Sequence, residues 1–148
     1  MLDNNVSEAI KTKSPEEIDR ARINLLNYTG VGMKQLDSIG NYEDDAALKF
    51  SCRDVLNFYK QMTESDISQL RDFFIVEQNF LAVKKAFNKK PVKRHSESEI
   101  IAYNSEANKY NQAVTRYMEV SRFIESSRKH TLYNWTSSVK LFMDSHKS

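Results

Sequence analysis

The stretch AYNSEANKYNQAVTRY, residues 102–117, decides the fold. Tyr103, Tyr110 and Tyr117 recur every seven residues, and Asn104, Asn108 and Asn111 fall at i, i+4 and i+7. At about 3.6 residues per turn, the rings share one helical stripe and the amides run along its flank. Rings with a polar handle, edged by amides, predict a helix interface with hydrogen bonds inside it. Asn24 and Asn27 accompany Tyr28 in the same way nearer the N-terminus. The expectation is a buried polar network of Asn27, Tyr28, Asn104, Tyr110 and Asn111 that fixes helix register, as buried Asn does in coiled coils. An amide-lined pocket for a small polar ligand is the functional alternative.

Working outward, Ser14-Pro15-Glu16-Glu17 is a strong helix start, with Ser as cap, Pro at the first helical position and Glu17 closing a capping box. Ile18, Ala21, Leu25, Tyr28, Gly32, Leu36 and Ile39 keep helical spacing, so a first helix is predicted from about Pro15 to Ile39, ending at Gly40-Asn41. Gly30 and Gly32 within it allow a bend or the close approach of a neighbouring helix, at about 1 kcal/mol each relative to Ala. A second helix starts at Asp44 or Asp45 and carries Leu48, Cys52, Val55, Leu56, Tyr59 and Met62. Thr63 to Asp66 offers caps for a third with Ile67, Leu70, Phe73, Phe74, Phe80, Leu81 and Phe87. Without Gly or Pro at the join, one bent helix is the alternative. Phe73, Phe80 and Phe87 repeat at bundle-core spacing.

The clearest break is Asn88 to His95, centred on Pro91. Ser96 and Glu99 then cap a fourth helix that runs through the tyrosine stripe to Ile124. Ser126 to His130 interrupts or loosens it before a last stretch with Leu132, Trp135, Val139, Phe142 and Met143. Residues 1–13 show no sustained period and read as a flexible polar tail; residues 14–148 read as one helical domain. Average usage would give about ten glycines and seven prolines; the chain has 3 and 2. No two-residue alternation bounded by turn dipeptides marks a strand. The predicted fold is all-α, an antiparallel four-helix bundle with an additional C-terminal helical segment.

The chemistry of enzymes is thinly represented. His95, His130 and His146 lie far apart in ligand-free patterns, and Glu-x-x-His and Gly-x-Ser-x-Gly are missing, so no metal, cofactor or hydrolase site is expected. The single cysteine, Cys52, reads as a buried thiol. Glu77 interrupts the aromatic face; it pairs with a Lys or Tyr, reaches solvent, or serves as an acid or base with a raised pKa. The run Lys84, Lys85, Lys89, Lys90, Lys93, Arg94 holds no acid across eleven residues. It reads as a solvated loop or as a site for phosphates or lipid head groups. Net charge is +2, too near balance for nucleic acid or an anionic membrane as the main partner. Trp135 is a core anchor or a partner-binding residue, and Lys89, Lys90, Lys93 and Arg94 are the other partner-binding candidates.

Asp54-Val55-Leu56-Asn57-Phe58-Tyr59-Lys60, Ile100-Ile101-Ala102-Tyr103-Asn104 and Asn108-Lys109-Tyr110-Asn111-Gln112-Ala113-Val114 are similar to segments of an uncharacterised bacterial surface-protein and lipoprotein family of leptospiral type. The resemblance spans most of residues 15–146 and implies an exported all-helical domain held at the cell envelope, with no known catalytic residues. Cys52 is internal and is not a lipid-acceptor cysteine. The expected compartment is the cell surface or periplasm if Met1 replaces a removed export signal, with a lipid tether upstream, and otherwise the cytoplasm. No run approaches the length of a membrane span. The leading expectation is a non-enzymatic structural or interaction module with a protein partner. The runner-up is a carrier of a small apolar ligand, with a cavity between the phenylalanine and tyrosine stripes of the bundle core. An enzyme using Glu77 comes third.

Overall fold

The computed structural model describes residues 2–43 and 45–147, with side chains from Asn4 onward. Asp44, one of two expected starts for the second helix, lies outside the described residues. The chain is all-helical, and among the described residues no strand forms. The elements are α1 (Leu2–Lys11), α2 (Pro15–Ser38), α3 (Ala47–Gln61), a π turn (Met62–Asp66), α4 (Ile67–Phe87), a 3-10 turn (Val92–Arg94) and α5 (Glu97–Ser145).

The Ser14 and Ser96 caps form, but the Glu17 side of the expected capping box does not: the Ser14 N–H donates to Thr12 Oγ1 and Glu17 pairs with Arg20. Ser14 Oγ accepts the Glu17 N–H at 3.3 Å and Ser96 Oγ accepts the Glu99 N–H at 3.2 Å, each satisfying an orphan donor of the first turn. Residues 1–13 are not the expected polar tail. Val6 and Ala9 are buried, and Ile10 packs beside them, because three apolar residues at i, i+3 and i+4 suffice for one short amphipathic helix once α2 offers a groove. Lys13, at φ 57°, makes the left-handed turn from α1 into α2.

The second and third helices form one continuous run joined through the π turn. Thr63 does not cap a new helix; its hydroxyl donates to the Tyr59 and Lys60 carbonyls at 2.9 Å. The reason is register. Leu48, Cys52, Val55, Tyr59 and Met62 alternate steps of four and three, but the next apolar residue is Ile67, five further on. The π turn absorbs that extra residue and returns Ile67 and Leu70 to the buried face. Met62 and Thr63 are both fully enclosed.

This central run is antiparallel to both partners. Asp19 of α2 meets Arg71 and Asp37 meets Arg53; Tyr103 of α5 meets Phe87 and Tyr117 meets Phe73. Gly32 fulfils the close approach, since a Cβ there would sit 3.3 Å from Leu56 Cδ2; Gly30 faces open space. The expected four long antiparallel helices with a further C-terminal segment are therefore three long rods and the short α1. Nor do Ser126 to His130 interrupt α5, which continues unbroken for 49 residues, about 73 Å at 1.5 Å per residue. That segment holds no Gly or Pro, and Arg128 pairs with Glu125 one turn back.

The core lies where α1, α2, the π turn, the first turns of α4 and α5 converge: Val6, Ile18, Leu25, Met62, Ile67, Leu70, Phe74, Val120 and Ile124. Beyond Phe74, every residue of α4 except Glu77, Phe80 and Phe87 is exposed, so its last three turns have only α5 beside them. The molecule is thus a three-rod body with a two-helix arm.

Candidate functional site

The arm is held by its rings. Phe80 stacks on Tyr110 with centroids 4.6 Å apart and an 11° interplanar angle, Phe87 on Tyr103 at 4.2 Å and 14°, and Phe73 against Tyr117 at 4.6 Å. Diagonal contacts of 6.0 and 6.2 Å link the pairs into one column. His95 closes the far end, 3.8 Å from Phe87 and nearly parallel to it. The paired rings bring the two stripes into direct contact along the column. Inside the column Tyr110 Oη donates to Glu77 Oε2 at 2.9 Å. Burial, and then Glu77 itself, push the Tyr110 phenol above its ordinary range. This is the Tyr pairing open to Glu77 from the sequence.

The expected polar network does not form. Asn27, Tyr28, Asn104 and Asn111 are all exposed, and only Tyr110 packs into the interface. Asn104 and Asn111 follow their tyrosines by one position, about 100° round the helix, which carries their amides off the buried stripe, and Asn27 precedes a Tyr28 that is itself exposed.

The two groups of partner-binding candidates stand at opposite ends. Lys89, Lys90, Lys93 and Arg94 are exposed at the tip of the arm. Trp135 lies on α5 about 58 Å from its N-cap Ser96, where it lines a cleft at the foot of the three-rod body. This cleft has a volume of about 250 Å³ and apolar walls from Leu36, Ile39, Tyr42, Leu48, Cys52, Trp135 and Phe142. Three elements and one loop build it: the end of α2, residues 39–46, the start of α3, and the end of α5. Ile39 and Tyr42, on its rim, are 58% and 56% exposed, more apolar surface than the cleft's own burial needs. Cys52 is half-buried in its wall.

A latch missed by the sequence reading closes the foot. His146 Nδ1 meets Glu43 Oε2 at 3.0 Å and Nε2 meets Asp45 Oδ2 at 2.9 Å, so an imidazolium donates to a carboxylate on each side. The Asp45 hydrogen bond raises the His146 pKa most, burial opposes it, and Glu43 adds to the rise. The same bond, helped by the Ala47 N–H, lowers Asp45. Tyr42 lies edge-on to Phe142 and to His146, at 5.5 and 5.0 Å. Glu43 takes a left-handed φ of 47°, a conformation uncommon outside Gly. No local pattern could reveal partners a hundred residues apart.

A third polar cluster ties α2 to α4. Asp19 accepts from Arg22 at 2.9 Å and from Arg71 at 2.6 Å. Burial alone would raise its pKa, but the two arginines outweigh it and hold Asp19 below the ordinary carboxylate range. Arg22 also donates to the Thr63 carbonyl in the π turn at 3.3 Å. Asp66, buried in the same turn, is raised by desolvation against the opposing charge of Arg116. Among the described residues no group of three or more His, Cys, Asp or Glu is arranged to hold a metal ion, and no helix is long and apolar enough to cross a membrane.

Fold and site together define an all-α helical-hairpin protein with an apolar foot cleft and a basic tip. No protein-family model, no curated protein and no solved structure matches this chain.

Proposed function

We propose that this chain is a non-enzymatic interaction module that seats an apolar side chain of a protein partner in its foot cleft. The observation that carries the reading is the exposed rim: Ile39 and Tyr42 stand beside an apolar hollow also lined by Trp135, the aromatic type most enriched at binding hot spots. Clefts of this kind at the junction of several elements are frequent recognition sites. The envelope-family likeness adds the cell envelope as the place of action. A photo-crosslinking residue at Ile39, introduced in the native host, should give one discrete adduct that Trp135→Ala abolishes. Adduct formation unchanged by Trp135→Ala would end the reading.

The apolar-ligand carrier is the second reading, moved from the bundle core to this cleft, and the nearly all-apolar wall favours it. Trp135 is the sole tryptophan, so its emission reports cleft occupancy directly. Titration with dodecanoate should shift it with saturation if the cleft takes small amphiphiles. The enzymatic reading has the least support, because Glu77 is engaged by a Tyr110 phenol whose raised pKa suits a hydrogen-bond donor rather than a base.

A further inference from the structure

The tip of the arm concentrates charge that nothing in the molecule requires. Lys84, Lys85, Lys89, Lys90, Lys93 and Arg94 are all exposed there, about 20 Å beyond the last α4 turn that packs on α2. Lys90 pairs with Glu99 at 2.9 Å, whereas the other five make no ion pair among the described residues. Like charges crowded at one tip repel each other, yet the tip is built firmly enough to hold them in place. His95 stacks flat on Phe87, and its Nε2 faces the Phe87 and Lys90 carbonyls at 2.8 and 3.2 Å. Its Nδ1 sits 2.7 Å from Glu99. The Arg94 and His95 N–H groups donate to the Pro91 and Val92 carbonyls, closing the 3-10 turn. Between the cations Val92 is 66% exposed at the apex.

We infer that this tip docks on the surface of an anionic lipid bilayer, with Val92 entering the head-group layer and the free cations lying against lipid phosphates. Three features favour a bilayer over other anions. The rings that could stack nucleobases, Phe87, His95 and Tyr103, are spent on one another in the column. The cations are five lysines and one arginine, point charges that suit a fluid anionic surface better than the planar fork that reads single carboxylates. One apex turn is also narrow beside the roughly 800 Å² per partner of a stable protein interface, whereas a charged plane needs no shape match. Each basic side chain near such a surface contributes about 1 kcal/mol, or about fivefold in partitioning.

The test is flotation of the full chain with vesicles of phosphatidylcholine alone or mixed with phosphatidylglycerol. Binding should require phosphatidylglycerol and be lost at high salt. The combined change Lys89→Gln, Lys93→Gln, Arg94→Gln should weaken partitioning about 100-fold, and Val92→Asp should weaken it with every cation kept. Unchanged Trp135 emission and far-UV dichroism would show that the rods stay folded; were that variant unstable, Lys84→Gln with Lys85→Gln on the exposed face of α4 should still cost about 25-fold. The inference is overturned by equal binding to phosphatidylcholine alone or by no binding at low salt. It is equally overturned by full binding of the charge-neutralised variants, or by a single-stranded oligonucleotide that outcompetes the vesicles. The foot cleft takes no part in this assay, so the two proposals fail separately.

Discussion

Truncating Phe80 to alanine isolates the force that holds the arm together. Its ring is half-buried, stacked 4.6 Å from Tyr110 and 6.0 Å from Tyr103, and no other rod covers it. A fully buried Phe→Ala change costs about 3–5 kcal/mol, of which each stacked pair accounts for about 0.5–1.5 kcal/mol. Scaling for the partial exposure of Phe80 leaves about 2–3 kcal/mol, which in a chain of this size lowers the melting temperature by roughly 4–12 °C. The loss should also be local. Hydrogen exchange read by mass spectrometry should show protection falling first in residues 77–112, while Ile18 to Leu36 of α2 keeps theirs until global unfolding. Phe80→Leu, which keeps apolar volume without the ring face, should recover about half. The reasoning is refuted if Phe80→Ala costs under about 1 kcal/mol, or if protection falls uniformly along the chain.

Two further outcomes follow from the foot and the π turn. The folded pKa of His146 lies above the ordinary imidazole value of 6.5, so the latch contributes fully below that pH and is lost as pH rises through the raised value. Asp45 lies below the ordinary carboxyl value of 3.8, so its share is lost only as pH falls through the lowered value. The foot should therefore be tightest between the two. Trp135 emission should change as pH rises through the raised His146 value, and His146→Gln should remove that transition; a flat profile in the native chain would rule the latch out. Deleting Ser65, exposed in the π turn, should leave a folded protein with a nearly unchanged melting temperature, because the turn reverts to plain α-helix and both flanking stripes keep their faces. Deleting Ser105, exposed within α5, should instead unfold the arm by rotating the tyrosine stripe about 100° off its partners. Equal losses from the two deletions would contradict the register argument.

How far this fold can be read from its residues depends on the range of the signal. Caps at Ser14 and Ser96, the end of the first helix at Gly40, the Pro91 break and the heptad rings are local or periodic, and all were legible. So was the contact of the Phe and Tyr stripes, since antiparallel alignment across the Pro91 turn brings Phe80 to Tyr110 with no other information. Legibility failed where a short signal depends on a distant surface. Val6, Ala9 and Ile10 make barely one amphipathic patch, and only the groove on α2 turns it into a helix. The asparagine reading failed for a different reason: seven-residue spacing identifies a stripe, but the neighbour of a buried residue at i+1 lies about 100° away and is wet unless another rod covers it. Past Phe74 the arm has no such rod. The foot latch lay furthest out of reach, because its three charged partners are joined only by the closure of the whole chain.

The step of five from Met62 to Ile67 shows what a stricter reading of spacing could have added. Had the two flanking stripes belonged to separate helices, their phases would be unrelated and a cap would be needed between them. Instead each stripe is internally regular, and a single extra residue restores agreement between them, which is the condition under which a π turn is cheaper than a break. The turn then leaves carbonyls without their usual donors, and the side chains nearest to them answer: Thr63 bonds back to Tyr59 and Lys60, and Arg22 reaches across from α2 to the Thr63 carbonyl. Arg22 is fixed for that reach by Asp19, and Asp19 also binds Arg71 on the far side of the turn. One carboxylate thus clamps both ends of the irregularity. The core centred on Met62 and Ile67 is held in place by that clamp as well as by its own packing.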